Sequence, residues 1–157
     1  MSYETKHAND IVTLNVGGKE FVTFFGTLAN CHSPYFEYMF QVDRISGGII
    51  INYQNIILDR NKRVFIDRDG DLFGYILNYF RDGKRTVLPE DPSTLRRLVR
   101  EAEFFNLPQL VNILDDRLNQ EDKRAEERDI KLEAMESVLQ KISQQLYIGA
   151  FRRNNPS

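Results

Sequence analysis

The sequence predicts a mixed α/β domain followed by a helix suited to pairing, and three observations carry that expectation. Alternating or β-branched runs joined by turn signals occupy the first half. Capped segments with one apolar helical face occupy the second. A stripe of apolar residues spaced by three and four then follows a charged stretch near the end of the chain.

Residues 11–16 and 20–25 are β-prone runs joined by Gly17-Gly18, a pair able to take the positive φ angles of a two-residue hairpin turn. Thr27 is placed to cap a short helix through Asn30, and Ser33-Pro34 is an N-cap with proline at the first helical position. That second helix is expected to carry Tyr35, Phe36, Met39 and Phe40. Gly47-Gly48 followed by Ile49-Ile50-Ile51 reads as an extra edge strand or an exposed adhesive segment. Residues 55–58 and 63–66, separated by the polar turn Asp59-Arg60-Asn61-Lys62, read as a second hairpin.

The helical half starts at residues 71–81, where Leu72, Tyr75, Ile76, Tyr79 and Phe80 share one face before the stop at Asp82-Gly83. Asp91-Pro92 opens a helix with Leu95, Leu98, Val99 and Ala102 inward, and Pro108 opens another carrying Leu110, Ile113, Leu114 and Leu118. Residues 120–129 hold no large apolar side chain and form a solvated helical connector. Beyond them Leu132, Met135, Leu139, Ile142 and Leu146 make a coiled-coil stripe of about two heptads. The expected organisation is a disordered leader over residues 1–9, a domain over 10–118, a charged connector with a short coiled coil over 119–149, and a flexible tail over 150–157.

Composition narrows the function. A formal charge of −2 gives no basic field to attract nucleic acid or an anionic membrane, so neither is an expected partner. No apolar run approaches the roughly 20 residues that span a bilayer. One cysteine, Cys31, leaves no intramolecular disulfide or cysteine-clustered metal site and suits a reducing compartment, cytoplasmic or nuclear. The two histidines, His7 and His32, are not placed as a catalytic base, and Cys31-His32 are neighbours in sequence rather than an assembled pair. Gly17-Gly18-Lys19 lacks the rest of a phosphate loop. The alternating acids of residues 67–71 fail as a calcium loop, with Leu72 where glycine and Asn78 where glutamate would stand. The expectation is a non-enzyme with no metal and no cofactor; Asp69 or Asp71 instead suits the cap of the helix that follows.

The run from Ile11 through Gly18 resembles the opening of the BTB/POZ domains of the potassium-channel tetramerisation type. Further blocks agree in order: Phe21-Val22-Thr23, Thr27-Leu28, residues 33–40, residues 65–70, residues 73–83 and residues 101–105. The resemblance covers about residues 10–114 and implies a small mixed β-sheet flanked by α-helices that assembles with itself into a ring of four or five copies. It implies two functions: a soluble homo-oligomeric scaffold, or an adaptor joining a cullin-type ubiquitin ligase to an unknown protein substrate. Asn15, Asp67, Arg68, Asp69 and Arg81 are the expected polar contributors to the subunit contacts. Tyr35, Phe36, Met39 and Phe40 are the expected cullin surface, while the stretch 41–54 looks long for the family where a cullin would dock.

Overall fold

The computed structural model describes residues 3–155 and divides the chain into two units, Met1–Leu118 and Asn119–Ser157. In the first unit strand β1 (Glu4–Lys6) precedes the hairpin of β2 (Ile11–Val16) and β3 (Lys19–Phe24). Two short helices, α1 (Phe25–Ala29) and α2 (Pro34–Glu37), lead to β4 (Phe40–Val42), β5 (Ile49–Ile51) and β6 (Val64–Ile66). Helices α3 (Gly70–Asp82), α4 (Pro92–Phe104) and α5 (Pro108–Asn154) follow, with α5 continuing through the second unit.

The strands form two three-stranded sheets. One is mixed, in the order β3-β2-β6, with β2 antiparallel to β3 and parallel to β6. The other is antiparallel, in the order β1-β5-β4. Between the elements lies a core in which Leu14, Leu28, Phe36, Phe73, Ile76, Leu95, Leu98 and Leu110 are buried. Phe36, Phe73 and Phe105 pack ring to ring with centroids 5.5–6.3 Å apart.

Caps fall where residue chemistry asks for them on α3 and α4. The Asp69 carboxylate accepts from the Asp71 and Leu72 amides at the start of α3, and Asp91 from Thr94 at the start of α4. The buried face of α3 is centred on Leu72, Phe73, Ile76 and Leu77, with Tyr75, Tyr79 and Phe80 at its margin.

Several local expectations are corrected. Helix α1 begins at Phe25, so Thr27 lies inside it rather than at its cap. Ser33 holds the N-cap position of α2 with Pro34 after it, as expected, but its hydroxyl donates to the Phe105 carbonyl at 2.6 Å and makes no cap hydrogen bond. Helix α2 stops at Glu37 and Phe40 opens a strand, because its ring is buried against Phe25. The isoleucine run is neither edge nor adhesive: β5 is the central strand of its sheet, with Ile49 and Ile51 buried. The second hairpin reduces to a single bridge, Leu58 to Val64, with a 3-10 turn at Tyr53–Asn55 in place of strand.

The leader is also structured within its described part. Glu4, Thr5 and Lys6 pair with Ile51, Ile50 and Ile49, and the Ala8 carbonyl accepts from the Gly26 amide at 2.8 Å. At the other end, helix α5 runs to Asn154, so most of the expected tail is helical; residues 156 and 157 lie outside the described part.

Candidate functional site

The hairpin tip and the β6–α3 turn are locked together by close backbone approach. Gly17 has φ +58°, and a Cβ on it would lie 2.3 Å from the Arg68 carbonyl oxygen. A Cβ on Gly70 would lie 2.4 Å from the Val16 carbonyl. The Gly17 amide also donates to the Ile66 carbonyl at 3.0 Å. This junction fixes Asp67, Arg68 and Asp69 beside the hairpin that carries Asn15.

Each predicted polar residue can then be placed. Asn15 bridges, its amide donating to the Asp59 carboxylate at 2.9 Å while its carbonyl accepts from the Gly18 amide at 2.8 Å. The Asn15 hydrogen bond, reinforced by the Arg63 amide and guanidinium, holds the Asp59 carboxyl down at about 2. Arg63 continues the chain of contacts to Glu20 at 2.9 Å.

Arg68 turns inward to a forked pair with Glu101, at 3.0 and 2.5 Å, and its guanidinium lies 4.2 Å from the centre of the Phe104 ring. Glu101 is only 5% exposed, and that hydrogen-bonded carboxylate raises the Arg68 pKa. Asp69 caps α3 and accepts from Arg97 at 2.6 Å. Asp67 is exposed at the turn. Arg81, on α3, donates to the Val22 carbonyl of strand β3 at 3.0 Å.

That contact marks the feature that residue chemistry alone did not single out. Val12, Leu14 and Val16 of β2 are buried, so the alternate residues point to the opposite face of the sheet. Register sets Ile11 beside Phe24 and Thr13 beside Val22 there. Ile11, Val22 and Phe24 are 65%, 48% and 49% exposed. With Thr23, Thr27 and Arg81 they line a depression of about 360 Å³ on an edge strand. Only β2 alternates in sequence, Val12, Leu14 and Val16 against Thr13 and Asn15, and the hairpin pairing then carries Val22 and Phe24 to the same outer face as Ile11.

The α2 region behaves differently from expectation. Phe36, Met39 and Phe40 are buried, and Tyr35 is half-buried against Phe104 and Phe105. Phe36, Met39 and Phe40 serve the core, and the exposed residues there are Pro34, Glu37 and Tyr38. Residues 41–54 are a folded part of the β1-β5-β4 sheet and its connections.

Nothing near Cys31 activates a nucleophile. Its thiol donates to the Leu28 carbonyl at 3.0 Å, and burial pushes its pKa up to about 11, away from the thiolate. Among the described residues no His, Cys, Asp and Glu side chains gather into a metal-binding group, and no helix is long and apolar enough to cross a membrane. In the second unit Leu132, Met135, Leu139, Ile142 and Leu146 are 47% to 67% exposed along α5.

Comparison with known proteins agrees with this geometry. Residues 12–114 match the family described as the BTB/POZ domain. The chain is 36% identical to a human potassium channel regulatory protein over 112 residues, 69% of this chain and 36% of that one. It is 34% identical to the mouse BTB/POZ domain-containing protein KCTD21 over 109 residues, 69% of this chain and 38% of that one. An uncharacterised Caenorhabditis elegans protein is 36% identical over 108 residues, 69% of this chain and 37% of that one. The chain therefore spans little more than a third of the length of these relatives. With a mixed sheet, flanking helices and a match across most of the first unit, the chain belongs to the BTB/POZ family of the potassium-channel tetramerisation type, a family of protein-interaction modules.

Proposed function

We propose that this chain is a self-assembling scaffold whose first unit forms a ring of four or five copies. The observation that carries this reading is the uncovered apolar face of the hairpin, Ile11, Val22 and Phe24, in a domain of an interaction family. A closed ring needs a contact between two different faces of neighbouring copies. The first face is this patch with Arg81 at its rim. The second is the β6–α3 turn, where Asp67 is exposed and could meet a guanidinium. Asn15, Arg68 and Asp69 support the two faces through the internal contacts already described. Charges at such a rim set register and partner choice more than affinity.

The cullin-adaptor reading rests on resemblance alone, since three of its four expected contact residues are core. Light scattering at micromolar concentration tests the scaffold: four or five copies are expected, and a monomer overturns it. Val22→Glu, at a half-exposed position, should dissociate the ring with little change in the melting of the fold. Retention of a cullin by the intact oligomer would revive the adaptor.

A further inference from the structure

The apolar stripe of the second unit sets a heptad phase, and the charges beside it obey that phase. With Leu132, Leu139 and Leu146 at position a, Met135, Ile142 and Gly149 fall at d. The g positions before the heptads that open at Ala125 and Leu132 are Arg124 and Lys131, both basic. The e positions up to the second leucine are Asp122, Asp129 and Glu136, all acidic, and the next is Ser143. The connector's own a and d positions are Glu121, Ala125 and Arg128, so the apolar seam itself begins at Leu132, and the end of the connector leads into it with one sign on each side.

In a parallel, in-register bundle each g residue meets the e residue of the next heptad on its neighbour. Arg124 then faces Asp129 and Lys131 faces Glu136, each pair of opposite sign. An antiparallel bundle sets g against g and e against e, base against base and acid against acid. Within its own helix Arg124 already reaches Glu121 at 2.8 Å, but that pair is solvent-exposed on the arginine side and costs little to exchange.

The apolar positions speak to strand number. Leucine at a with isoleucine at d, as at Leu139 and Ile142, favours more than two strands. Val138, at g and 54% exposed, widens the stripe in the same sense.

We propose that residues 132–149 bind the same segment of other copies as the seam of a parallel, in-register coiled coil of more than two helices, oriented by the Lys131–Glu136 pair and, just ahead of the seam, the Arg124–Asp129 pair. This deepens the self-assembly reading and rests on it for the closeness of the copies. A parallel coil delivers all the C-terminal ends of the assembly to one side.

Cross-linking of the full chain tests it, in a Cys31→Ser background that removes the native thiol. Gly149 is a d position where an added Cβ meets open space, so Gly149→Cys should form disulfides between copies. Gln144→Cys, at f on the outer side, should give about a tenth of that yield. In an antiparallel coil centred near Leu139 two such Gly149 positions would stand about 30 Å apart and not react. Arg124→Glu with Lys131→Glu should lower the Gly149→Cys cross-link about tenfold, and adding Asp129→Lys with Glu136→Lys should restore it.

Equal yields from the two positions, or no restoration by the second charge swap, would overturn the proposal. An oligomer by light scattering without the Gly149→Cys cross-link removes the parallel coil and leaves the domain-driven ring standing. A Gly149→Cys cross-link with the native charges, together with a monomeric Arg124→Glu, Lys131→Glu variant, does the reverse, assigning assembly to the coil.

Discussion

Arg68 shows how one side chain can look like a contact residue and serve as an internal brace. It reads as exposed chemistry between two aspartates, yet its guanidinium is spent on Glu101 and the Phe104 ring. The pair is asymmetric, with Glu101 nearly sealed and the Arg68 side chain 29% exposed. Arg68→Met should therefore cost about 3 kcal/mol, because it strands a buried carboxylate. Glu101→Gln should cost less, since Arg68 can turn to water, and Arg68→Lys should rescue little because it loses the fork and the stacking. Urea unfolding of the three variants checks the order. Asp59 offers a pH test. Its folded pKa of about 2 lies below the ordinary 3.8, so its stabilising effect is complete above about pH 4 and fades as pH falls through 2. Asp59→Asn should be less stable than wild type at pH 6, and the difference should shrink toward zero near pH 2. An unchanged difference across that range would mean the Asn15–Asp59–Arg63 chain is not what stabilises this turn.

Elements were legible where a local signal and the tertiary need agreed, and missed where the tertiary need prevailed. The Asp69 and Asp91 caps and the Gly17-Gly18 turn were readable because each residue does locally what its chemistry favours. Phe40 was read as helix because it follows Met39 in a helix-like run, but burial against Phe25 draws it into β4. Ile49–Ile51 looked adhesive because its partners, Glu4–Lys6 and Phe40–Val42, lie far away in sequence in segments without strand signatures of their own. The same remoteness made residues 1–9 look dispensable. Removing residues 1–8 deletes the β1 pairing and the Ala8–Gly26 contact, and should cost about 2 kcal/mol through lost backbone hydrogen bonds. A thermal melt of that truncation, lower by several degrees, would separate a structural strand from a passive leader. The exposed face of the hairpin was half legible: Arg81 at its rim was named from the family resemblance and its polar chemistry, while Ile11, Val22 and Phe24 required knowing which side of the hairpin the core covers.

At the scale of the whole molecule the packed core belongs to the first unit. Every buried core residue lies at or before Leu114, and Leu118 is the last apolar residue packed on the cluster. Among the described residues the segment from Asn119 onward has no buried side chain, so its helix draws no stability from a packed core. Truncation after Leu118 should therefore leave the melting of the first unit nearly unchanged when both chains are compared as monomers at high dilution. Assembly should respond differently. If the domain ring brings the stripes together, each stripe binds its neighbours at high effective concentration and adds avidity without any new domain contact. The truncated chain should then dissociate at a concentration about 100-fold higher than the full chain. Sedimentation velocity over a dilution series reads this directly. Equal dissociation of the two chains would make the stripe a bystander to self-assembly and free it for another protein's helix, and a truncated chain that is monomeric at every concentration would move the whole drive for assembly from the hairpin face to the coil.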